Sequence, residues 1–353
     1  MRRPRVHVLA ETGVDMRPHG SAYLRLIRPL SHPGLKQAAH ITFGFEAASV
    51  AADIVLIDRL WKPARIDVQE ARALVQEIRQ QGAKLVYCFD DDFLGMEPSN
   101  AKYPAGFKDC VKIFLEASDA LIVTTLELKN RYQSFQPAIF TVPSCLDETL
   151  IIRKYSRTKR PDEKVMIGYM GTATHDDDLE LALPAIRQVC AEDPGRIQME
   201  VVGAVSERDI QQRDVFQGLP VRILQPRSHE VQYPLFMLWF TGTVRWDIGI
   251  APLVDNPFNH CKSDIKFLDY AAAGVPGVFS ALPAYKDTVQ NRENGLIVQN
   301  DPGDWYNALS ELVKFPALRT HLRERAESYL YQERILSKGI QTWADLLRRL
   351  AEG

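Results

Sequence analysis

The fold is decided by the stretch Asn259-His-Cys-Lys-Ser-Asp-Ile-Lys-Phe-Leu-Asp-Tyr-Ala-Ala-Ala-Gly-Val-Pro-Gly-Val-Phe-Ser280. Its pattern predicts a polar loop, a short helix and then an apolar strand. Ser263 is the expected N-cap, because its hydroxyl can accept a hydrogen bond from a free amide of the first turn. Gly274 suits the left-handed position just after a helix, and Pro276 prevents the helix from continuing.

The short helix presents two opposite charges together. Lys266 and Asp269 are three residues apart and therefore share one face, while Ile265, Leu268 and Ala272 form the apolar side. A helix that leads into a strand of an α/β sheet lies near the edge where such sheets bind ligands. The stretch thus predicts a ligand site that contains a cation and a carboxylate.

The segment Lys266-Phe-Leu-Asp269-Tyr-Ala-Ala-Ala-Gly274-Val-Pro276 resembles the nucleotide-binding segment of GT-B fold glycosyltransferases. The most similar group is the large, mostly retaining family 4-like group, which uses nucleotide sugars to build bacterial surface glycans. In that group a carboxylate five residues before the glycine binds the ribose of the donor, and Asp269 holds this place. A second carboxylate normally stands eight residues earlier, near the transferred sugar, but this chain has Cys261 there.

Composition excludes several other classes of protein. The 353 residues include 43 basic and 45 acidic side chains, so the net charge of -2 gives no general affinity for nucleic acid. The five cysteines are scattered without a CxxC pair, which predicts reduced thiols rather than a disulfide framework or a zinc site. No apolar run reaches the ~18 residues of a membrane span, and no signal peptide is expected.

Short apolar runs alternate with amphipathic runs along the chain, a pattern typical of parallel sheets with crossover helices. The expected strands of the first half are 5–10, 53–58, 84–89, 120–124 and 139–142, with helices over 68–81 and 107–117. The expected strands of the second half are 165–170, 198–202, 221–224, 247–251, 277–280 and 295–298. A last helix is expected over 335–350.

The predicted fold class is therefore α/β, with two Rossmann-like domains. Residues 1–150 form the acceptor-side domain, 151–164 a linker and 165–335 the nucleotide-sugar-binding domain. By the resemblance, the domains face each other across a cleft, as in GT-B enzymes. The resemblance also implies that the C-terminal helix, 336–353, crosses back to the first domain; the alternative is a plain terminal helix of the second.

A glycine loop follows the first strand of the second half, in the sequence Gly168-Tyr-Met-Gly171-Thr-Ala-Thr-His-Asp-Asp-Asp178. Glycines allow a backbone to approach phosphate closely. The resemblance places Gly171 and Thr172 beside the donor diphosphate, whereas the three aspartates are expected to cap the next helix. Because the loop itself lacks cations, Lys262 and Lys266 are the expected diphosphate ligands.

The loop before the short helix also carries donor groups. Asn259, Lys262 and Ser263 can donate hydrogen bonds to phosphate or sugar oxygens, although Asn256-Pro257 is also ordinary turn chemistry. Arg227 follows another strand, where it either frames the nucleotide base or plays a structural role.

In the first half, the strand Lys84–Phe89 runs into Asp90, Asp91 and Asp92. Crowded carboxylates shift one another's pKa values, which suits a general base, and Asp91 and Asp92 are the expected catalytic residues. The alternatives are capping of the following segment and a metal-binding triplet. The latter is disfavoured, because the resemblance implies a metal-independent enzyme without a cofactor. No histidine spacing typical of a metal site is present.

The segment from Met16 to Tyr23 follows the first strand and is the expected acceptor contact. His19 is the third expected catalytic residue there, with Arg17 and Ser21 beside it; an ordinary strand-to-helix turn is the alternative. The arginines near the N-terminus fit a solvated face or, alternatively, a contact with anionic lipid or a phosphorylated acceptor.

The sequence therefore predicts a glycosyltransferase that moves a sugar from a nucleotide-sugar donor to a saccharide or lipid-linked acceptor. A cytoplasmic location is expected, with peripheral membrane contact as a variant. Two alternatives stay open: a nucleotide-sugar 2-epimerase, and a non-catalytic GT-B scaffold that binds a partner glycosyltransferase or a glycan. Cys261 motivates the scaffold alternative.

Overall fold

The computed structural model describes residues 2–352, apart from 14, 48–49, 63–65, 97–102, 137, 153–162, 172–175, 204–205, 207, 209 and 211–212. The chain divides into two compact units. The first contains Met1–Asp147, Cys261–Ser263 and Ile335–Gly353; the second contains Glu148–His260 and Asp264–Arg334. Each unit is built on its own six-stranded parallel sheet.

The sheet of the first unit has the strand order β2-β1-β3-β4-β5-β6. Its strands are short apolar runs that are nearly all buried on both faces, as expected of parallel sheets covered by helices. Their bounds are β1 Arg5–Leu9, β2 His40–Phe43, β3 Ile54–Asp58, β4 Lys84–Phe89, β5 Ala120–Val123 and β6 Ile139–Thr141.

Helices of the first unit connect these strands. A helical segment after β1 consists of α1 Gly20–Ala22, a π-helical turn Tyr23–Ile27 and α2 Arg28–Leu30. The longer crossover helices are α3 Val68–Gln80, α4 Phe107–Ala117 and α5 Leu126–Tyr132. Asp67 and Thr125 cap α3 and α5 by accepting hydrogen bonds from amides of the first turn.

The sheet of the second unit has the strand order β12-β11-β10-β7-β8-β9. Its strands are β7 Val165–Met170, β8 Ile197–Val202, β9 Val221–Ile223, β10 Ile248–Ala251, β11 Gly277–Ser280 and β12 Leu296–Val298. Its helices are α6 Asp176–Glu180, α7 Leu183–Glu192, α8 Leu235–Thr243, α9 Pro257–His260, α10 Ile265–Ala273, α11 Pro283–Lys286, α12 Pro302–Lys314 and α13 Pro316–Tyr329.

The C-terminal helix α14, Leu336–Glu352, packs in the core of the first unit. Its buried face includes Trp343 and Leu347, and Lys84 of β4 donates a hydrogen bond to the Leu350 carbonyl at 2.8 Å. The amphipathic spacing of the sequence explains this placement, because the apolar stripe must be buried against another layer. The predicted fold class, with its helix crossing back, is confirmed.

The sequence did not predict β2. His40–Phe43 pairs with β1 in parallel, but as an edge strand it is half exposed and mixes polar with apolar residues. Its sequence therefore lacks the continuous apolar run that marks the buried strands. Among the described residues, no helix has the length and hydropathy needed to cross a membrane.

We predict that Leu347→Ala destabilises the first unit by about 2–5 kcal/mol, because Leu347 is fully buried in the core of that unit and its loss leaves a cavity. Chemical denaturation followed by circular dichroism measures the change. The matched control is Arg349→Ala, an exposed position on the same helix, where the free energy of unfolding should stay within about 0.5 kcal/mol of the wild type. Equal stability of the two variants would contradict the packing of this helix.

Candidate functional site

Helix α10 begins and ends for identifiable reasons. Gly274 adopts the left-handed conformation, with φ of 70°, and the Val275 amide donates to the Tyr270 carbonyl at 2.9 Å, which closes the last turn. The expectation for Ser263 as N-cap is wrong. Asp264 holds the N-cap position, and no side chain there hydrogen-bonds to the amides of the first turn.

Asp264 does not cap the helix because other groups hold its carboxylate. Arg334 donates two hydrogen bonds to it, at 2.6 and 2.9 Å, and the Thr288 hydroxyl donates a third at 2.5 Å. All these groups are within the second unit, and the carboxylate is buried. The first-turn amides of α10 therefore still present the positive end of the helix dipole. Arg334 neutralises the negative charge of the nearby Asp264 carboxylate.

Lys266 and Asp269 lie on the same helix, as predicted. Lys266 Nζ donates to the Tyr169 hydroxyl at 3.3 Å and lies 4.6 Å from the centre of that ring. Asp269 is only 7% exposed. Burial raises the pKa of its carboxyl to about 7, and the charge of Lys266 opposes that shift only in part.

The Asp269 carboxylate accepts no hydrogen bond and forms no ion pair within the part of the chain that the structure describes. A buried carboxylate normally has partners, since removing it from water costs several kcal/mol otherwise. Carboxylates without a protein partner are accordingly concentrated at functional sites. Asp269 is therefore suited to accept hydrogen bonds from a ligand.

Close packing requires glycine at two positions in and beside the loop after β7. A Cβ at Gly168 would lie 1.7 Å from the Trp246 ring, so this glycine makes room for a buried tryptophan. The Gly171 amide donates to the Val202 carbonyl at 3.0 Å, and a Cβ at Gly203 would lie 2.5 Å from the Gly171 carbonyl. Gly171 thus lies at the carboxyl end of β7; Thr172 falls outside the described residues.

Of the three aspartates after this loop, Asp178 serves a different purpose from the predicted capping. Asp178 is buried and accepts from the Val254 amide at 2.7 Å and from Asn259 Nδ2 at 3.2 Å, so it braces the loop after β10. Asn259 Nδ2 also donates to the Val254 carbonyl at 2.9 Å. Both amide hydrogens of Asn259 are therefore taken by protein oxygens, rather than available for phosphate or sugar as the sequence suggested.

Arg227 is exposed and precedes a short 3-10 turn, Ser228–Glu230. Its backbone amide donates to the Glu230 carboxylate at 2.8 Å. The structure therefore gives Arg227 a local structural role at its backbone, while its guanidinium lies at the surface.

In the first unit, three carboxylates at the end of β4 are held by cations. Arg59 forms two hydrogen bonds with Asp90, at 2.6 and 2.9 Å, and lies 3.3 Å from Asp91. Arg25 adds contacts to Asp90 at 3.2 Å and to Asp58 at 2.5 Å. Burial alone would raise the pKa of Asp90, but the two arginines hold it well below its usual range.

Asp91 is similarly ionised. Lys262 Nζ donates to it at 2.8 Å, and despite burial this lysine and Arg59 lower the pKa of Asp91. The direction is opposite to that needed for a general base near neutral pH, so the expected base role of Asp91 has no support here. Lys262 itself is engaged in this ion pair, and Lys266 of the second unit is bonded to Tyr169 instead.

Asp92 is fully buried and has structural partners. It accepts from the Tyr132 hydroxyl at 2.8 Å and the Gly95 amide at 3.0 Å, and it forms an ion pair with Arg131 at 2.5 Å. A Cβ at Gly95 would lie 2.0 Å from the Asp92 carboxylate. This environment fixes the turn after β4, which corrects the expectation of a catalytic Asp92.

The other predicted residues occupy simpler positions. His19 is half-buried at the N-cap of α1, without a capping hydrogen bond from its side chain, and its amide donates to the Glu11 carbonyl at 3.0 Å. Ser263 is half-buried in the first unit. Cys261 is buried there as well, and desolvation raises the pKa of its thiol to about 12.

Sequence reasoning missed Glu11, Arg59 and Tyr169 as members of these clusters. Glu11 and Arg59 closely follow apolar strands, so a signal was present at the carboxyl ends of β1 and β3. Arg59 adopts φ of 48°, an unusual conformation for a residue other than glycine. Tyr169 lies inside a strand, where no local signal distinguishes it from a core residue.

We predict that Asp269→Asn stabilises the protein at alkaline pH. Because the folded-state pKa is about 7 and an exposed aspartate titrates near 3.9, the folded state holds a proton that the unfolded state has released between these values. Wild-type stability therefore falls as pH rises through this window, whereas the uncharged asparagine side chain of the variant does not titrate.

The difference in free energy of unfolding between variant and wild type should grow by on the order of 2 kcal/mol from pH 5 to pH 8. Thermal denaturation at both pH values measures it. Asp177→Asn, at an exposed acid of the same unit, is the control for the loss of one carboxylate. A constant difference for Asp269→Asn would sink the assignment of a raised pKa.

The second unit is similar to a known family of proteins. Residues 164–314 match the family model described as glycosyl transferases group 1. No curated protein sequence matches the chain.

Solved structures resemble the whole chain. A sucrose-phosphate synthase from Thermosynechococcus elongatus has a TM-score of 0.71 at 14% identity, and the match covers 99% of each chain. Anabaena HepE in complex with UDP and glucose has a TM-score of 0.66 at 12% identity, with 98% of this chain and 100% of that chain covered.

A third resemblance is partial. The pneumococcal O-GlcNAc transferase GtfA, in complex with UDP and GlcNAc, has a TM-score of 0.58 at 11% identity. The match covers 85% of this chain and 57% of that one. Taken with the two parallel sheets, these resemblances show that the chain has a GT-B fold, and residues 164–314 of its second unit are similar to the group 1 glycosyl transferases.

Proposed function

We propose that this protein is a glycosyltransferase that binds its nucleotide-sugar donor on the second unit, through Asp269, Lys266 and the N-terminus of α10. The observation that carries the proposal is the buried Asp269 carboxylate, which accepts no hydrogen bond from any described residue. It lies one helical turn from a lysine, so hydroxyl and phosphate groups of one ligand can be bound together.

Asp269 is assigned to the ribose of the donor. Two vicinal hydroxyls can donate to the two oxygens of one carboxylate, and each hydrogen bond to a charged group contributes about 1.5–3 kcal/mol. The ionised form is the better acceptor, and its burial excludes competing water. Binding should therefore favour the charged form and release a proton near pH 7, since the pKa in the free protein is about 7.

The diphosphate is assigned to Lys266 and the first turn of α10. That turn has no side-chain cap, and Arg334 neutralises the one carboxylate at its start. Helix amides and a lysine form a natural phosphate site. The same groups would stabilise the nucleoside diphosphate as it leaves, which is the main electrostatic demand of glycosyl transfer.

Tyr169 is assigned the positioning of Lys266. Its hydroxyl accepts from Nζ, and its ring lies under the ammonium group at 4.6 Å. Both contacts restrict a long, flexible side chain, which lowers the entropy lost on ligand binding. Gly171, at the end of the same strand, is proposed to contact the donor through its backbone.

The acceptor is assigned to the first unit, and it is a saccharide or a lipid-linked saccharide of a bacterial surface glycan. His19 remains the proposed side-chain contact, in place of the buried Asp92. Asp90, Asp91 and Asp92 each face cationic partners, which makes them poor ligands for a divalent cation. The described residues contain no group of three or more acidic, histidine or cysteine side chains suited to a metal. We propose a metal-independent reaction, as the resemblance of the nucleotide-binding segment implies.

UDP is the first nucleotide to test. The structures of HepE and GtfA, which this chain resembles in fold, are described in complex with UDP and with glucose or GlcNAc. The donor proposed for this chain is accordingly a UDP-sugar with a hexose or N-acetylhexosamine.

A second candidate function is nucleotide binding without turnover, in support of a partner glycosyltransferase. Cys261 favours it, because a buried thiol whose pKa is raised to about 12 stays neutral where similar enzymes have a carboxylate. Incubation of a UDP-sugar with and without acceptor saccharides distinguishes the possibilities. A glycosylated acceptor indicates transfer, a new UDP-sugar indicates epimerisation, and neither product indicates a scaffold.

We predict that calorimetry with a panel of nucleoside diphosphates detects binding of UDP, and that Asp269→Ala weakens it roughly 10- to 100-fold. Lys266→Ala should weaken UDP more than uridine monophosphate, because the second phosphate loses its cation. Asp177→Ala is the control and should bind like the wild type. If no nucleoside diphosphate binds, or if folded Asp269→Ala binds unchanged, the donor-site assignment is wrong.

We also predict that Arg334→Gln weakens UDP binding roughly tenfold, because Asp264 is left as an uncompensated charge at the start of α10. The double variant Asp264→Asn/Arg334→Gln should recover most of the affinity. Asp264→Asn alone should bind at least as tightly as the wild type, which keeps the test useful if Arg334→Gln fails to fold. Weak binding by all three variants would show that the pair acts only in folding.

A further inference from the structure

Helix α8 of the second unit has an outer face without charged side chains. Its sequence is Leu235-Phe-Met-Leu-Trp-Phe-Thr-Gly-Thr243, and its inner face is buried through Met237, Phe240 and Thr241. Positions 235, 238, 239 and 242 follow the helical spacing of the opposite face. A helix that is apolar all round is normally buried on all sides, so this outer face requires a partner.

The outer face is exposed over several residues. Leu235 is 43% exposed, and Val231, four residues before it, is 60% exposed. Ile152 is 44% exposed and extends the face at the other end of the helix, where its Cδ1 lies 3.0 Å from the position of a Cβ on Gly242. We call this surface the α8 face; its residues are Ile152, Val231, Leu235, Leu238 and Trp239.

Cations stand at both ends of the α8 face. Arg227 precedes Val231, and Arg245 donates to the Gly242 carbonyl at 2.9 Å, beside Ile152. Both are exposed, and neither forms an ion pair with a carboxylate among the described residues. The Glu230 carboxylate between them accepts from a backbone amide.

This charge distribution decides between partners. A second copy of the chain would place cations against cations across a two-fold axis, which opposes self-association. An anionic bilayer meets both requirements, because apolar and aromatic side chains enter its interface while flanking cations contact lipid headgroups. Trp239 is an amphipathic aromatic of the kind that membrane interfaces favour.

We propose that the α8 face docks the second unit on an anionic lipid bilayer. The inference is independent of donor binding, since none of the α8 residues belongs to the proposed donor site. It differs from the sequence expectation, which looked for membrane contact at the N-terminal arginines. An enzyme held in this way would work where lipid-linked substrates are concentrated.

Vesicle co-sedimentation of the full chain, without nucleotide, tests the proposal. The wild type should bind phosphatidylcholine vesicles that contain phosphatidylglycerol more tightly than pure phosphatidylcholine vesicles, and added salt should weaken binding. Val231→Glu/Leu235→Glu should weaken binding by about tenfold or more. Phe315→Glu, at a residue of the same unit that is 57% exposed and outside the face, is the matched control and should bind like the wild type.

Tryptophan fluorescence provides a second readout that does not require introducing glutamates into the α8 face. Of the five tryptophans, Trp61, Trp246, Trp305 and Trp343 are buried, so quenching by brominated lipid should report Trp239. Trp239→Phe should abolish that quenching and preserve vesicle binding. The proposal is overturned if the wild type ignores anionic vesicles, if the glutamate variant binds them unchanged, or if sedimentation velocity shows that the face joins two copies of the chain.

Discussion

A charge removed from water must be paired or neutralised, and the carboxylates of the two units meet this constraint in different ways. At the carboxyl end of β4, Asp90 and Asp91 are partly buried among Arg25, Arg59 and Lys262, and their pKa values are lowered. On α10, Asp269 is buried without such partners, and its pKa is raised to about 7. Asp90 and Asp91 of the first unit therefore stay ionised at neutral pH, whereas Asp269 of the second unit titrates near pH 7. Only the second arrangement leaves oxygens for a ligand, which is why the nucleotide is assigned to Asp269 rather than to the more conspicuous aspartate triplet.

The paired network explains the unusual backbone beside it. Arg59 adopts φ of 48° and, from there, its guanidinium reaches Glu11 at 3.2 Å as well as Asp90 and Asp91. A left-handed residue costs free energy, and several charge-assisted hydrogen bonds offset that cost. The arginine thereby ties together the ends of β1, β3 and β4. Because the pKa values of Asp90 and Asp91 are lowered, these two carboxylates remain ionised at neutral pH and do not change charge near pH 7.

The sequence predicted the strands well where a continuous apolar run was buried on both faces, as in Lys84–Phe89 and Val165–Met170, whose bounds agree with the structure. It failed where the decisive partner is distant in sequence. Asp264, and not the expected Ser263, holds the N-cap position of α10, and its side chain does not cap the helix because Arg334, 70 residues away, binds it. Asn259 looked like a ligand donor because its partner Asp178 lies 81 residues away. The ion pair between Asp91 and Lys262 was missed for the same reason, because 171 residues separate its two members.

The precision of the proposed site depends on how α10 is attached to its sheet. Tyr270, next to Asp269, is buried and donates to the Ile250 carbonyl of β10 at 2.7 Å. A Cβ at Gly249 would lie 2.7 Å from the Tyr270 ring, so a glycine in the strand makes that contact feasible. Tyrosine and glycine thus fix the position of the helix, Arg334 neutralises its start, and Tyr169 directs Lys266. A carboxylate held this rigidly in a buried position cannot move out to solvent, and its oxygens stay available to the proposed ligand.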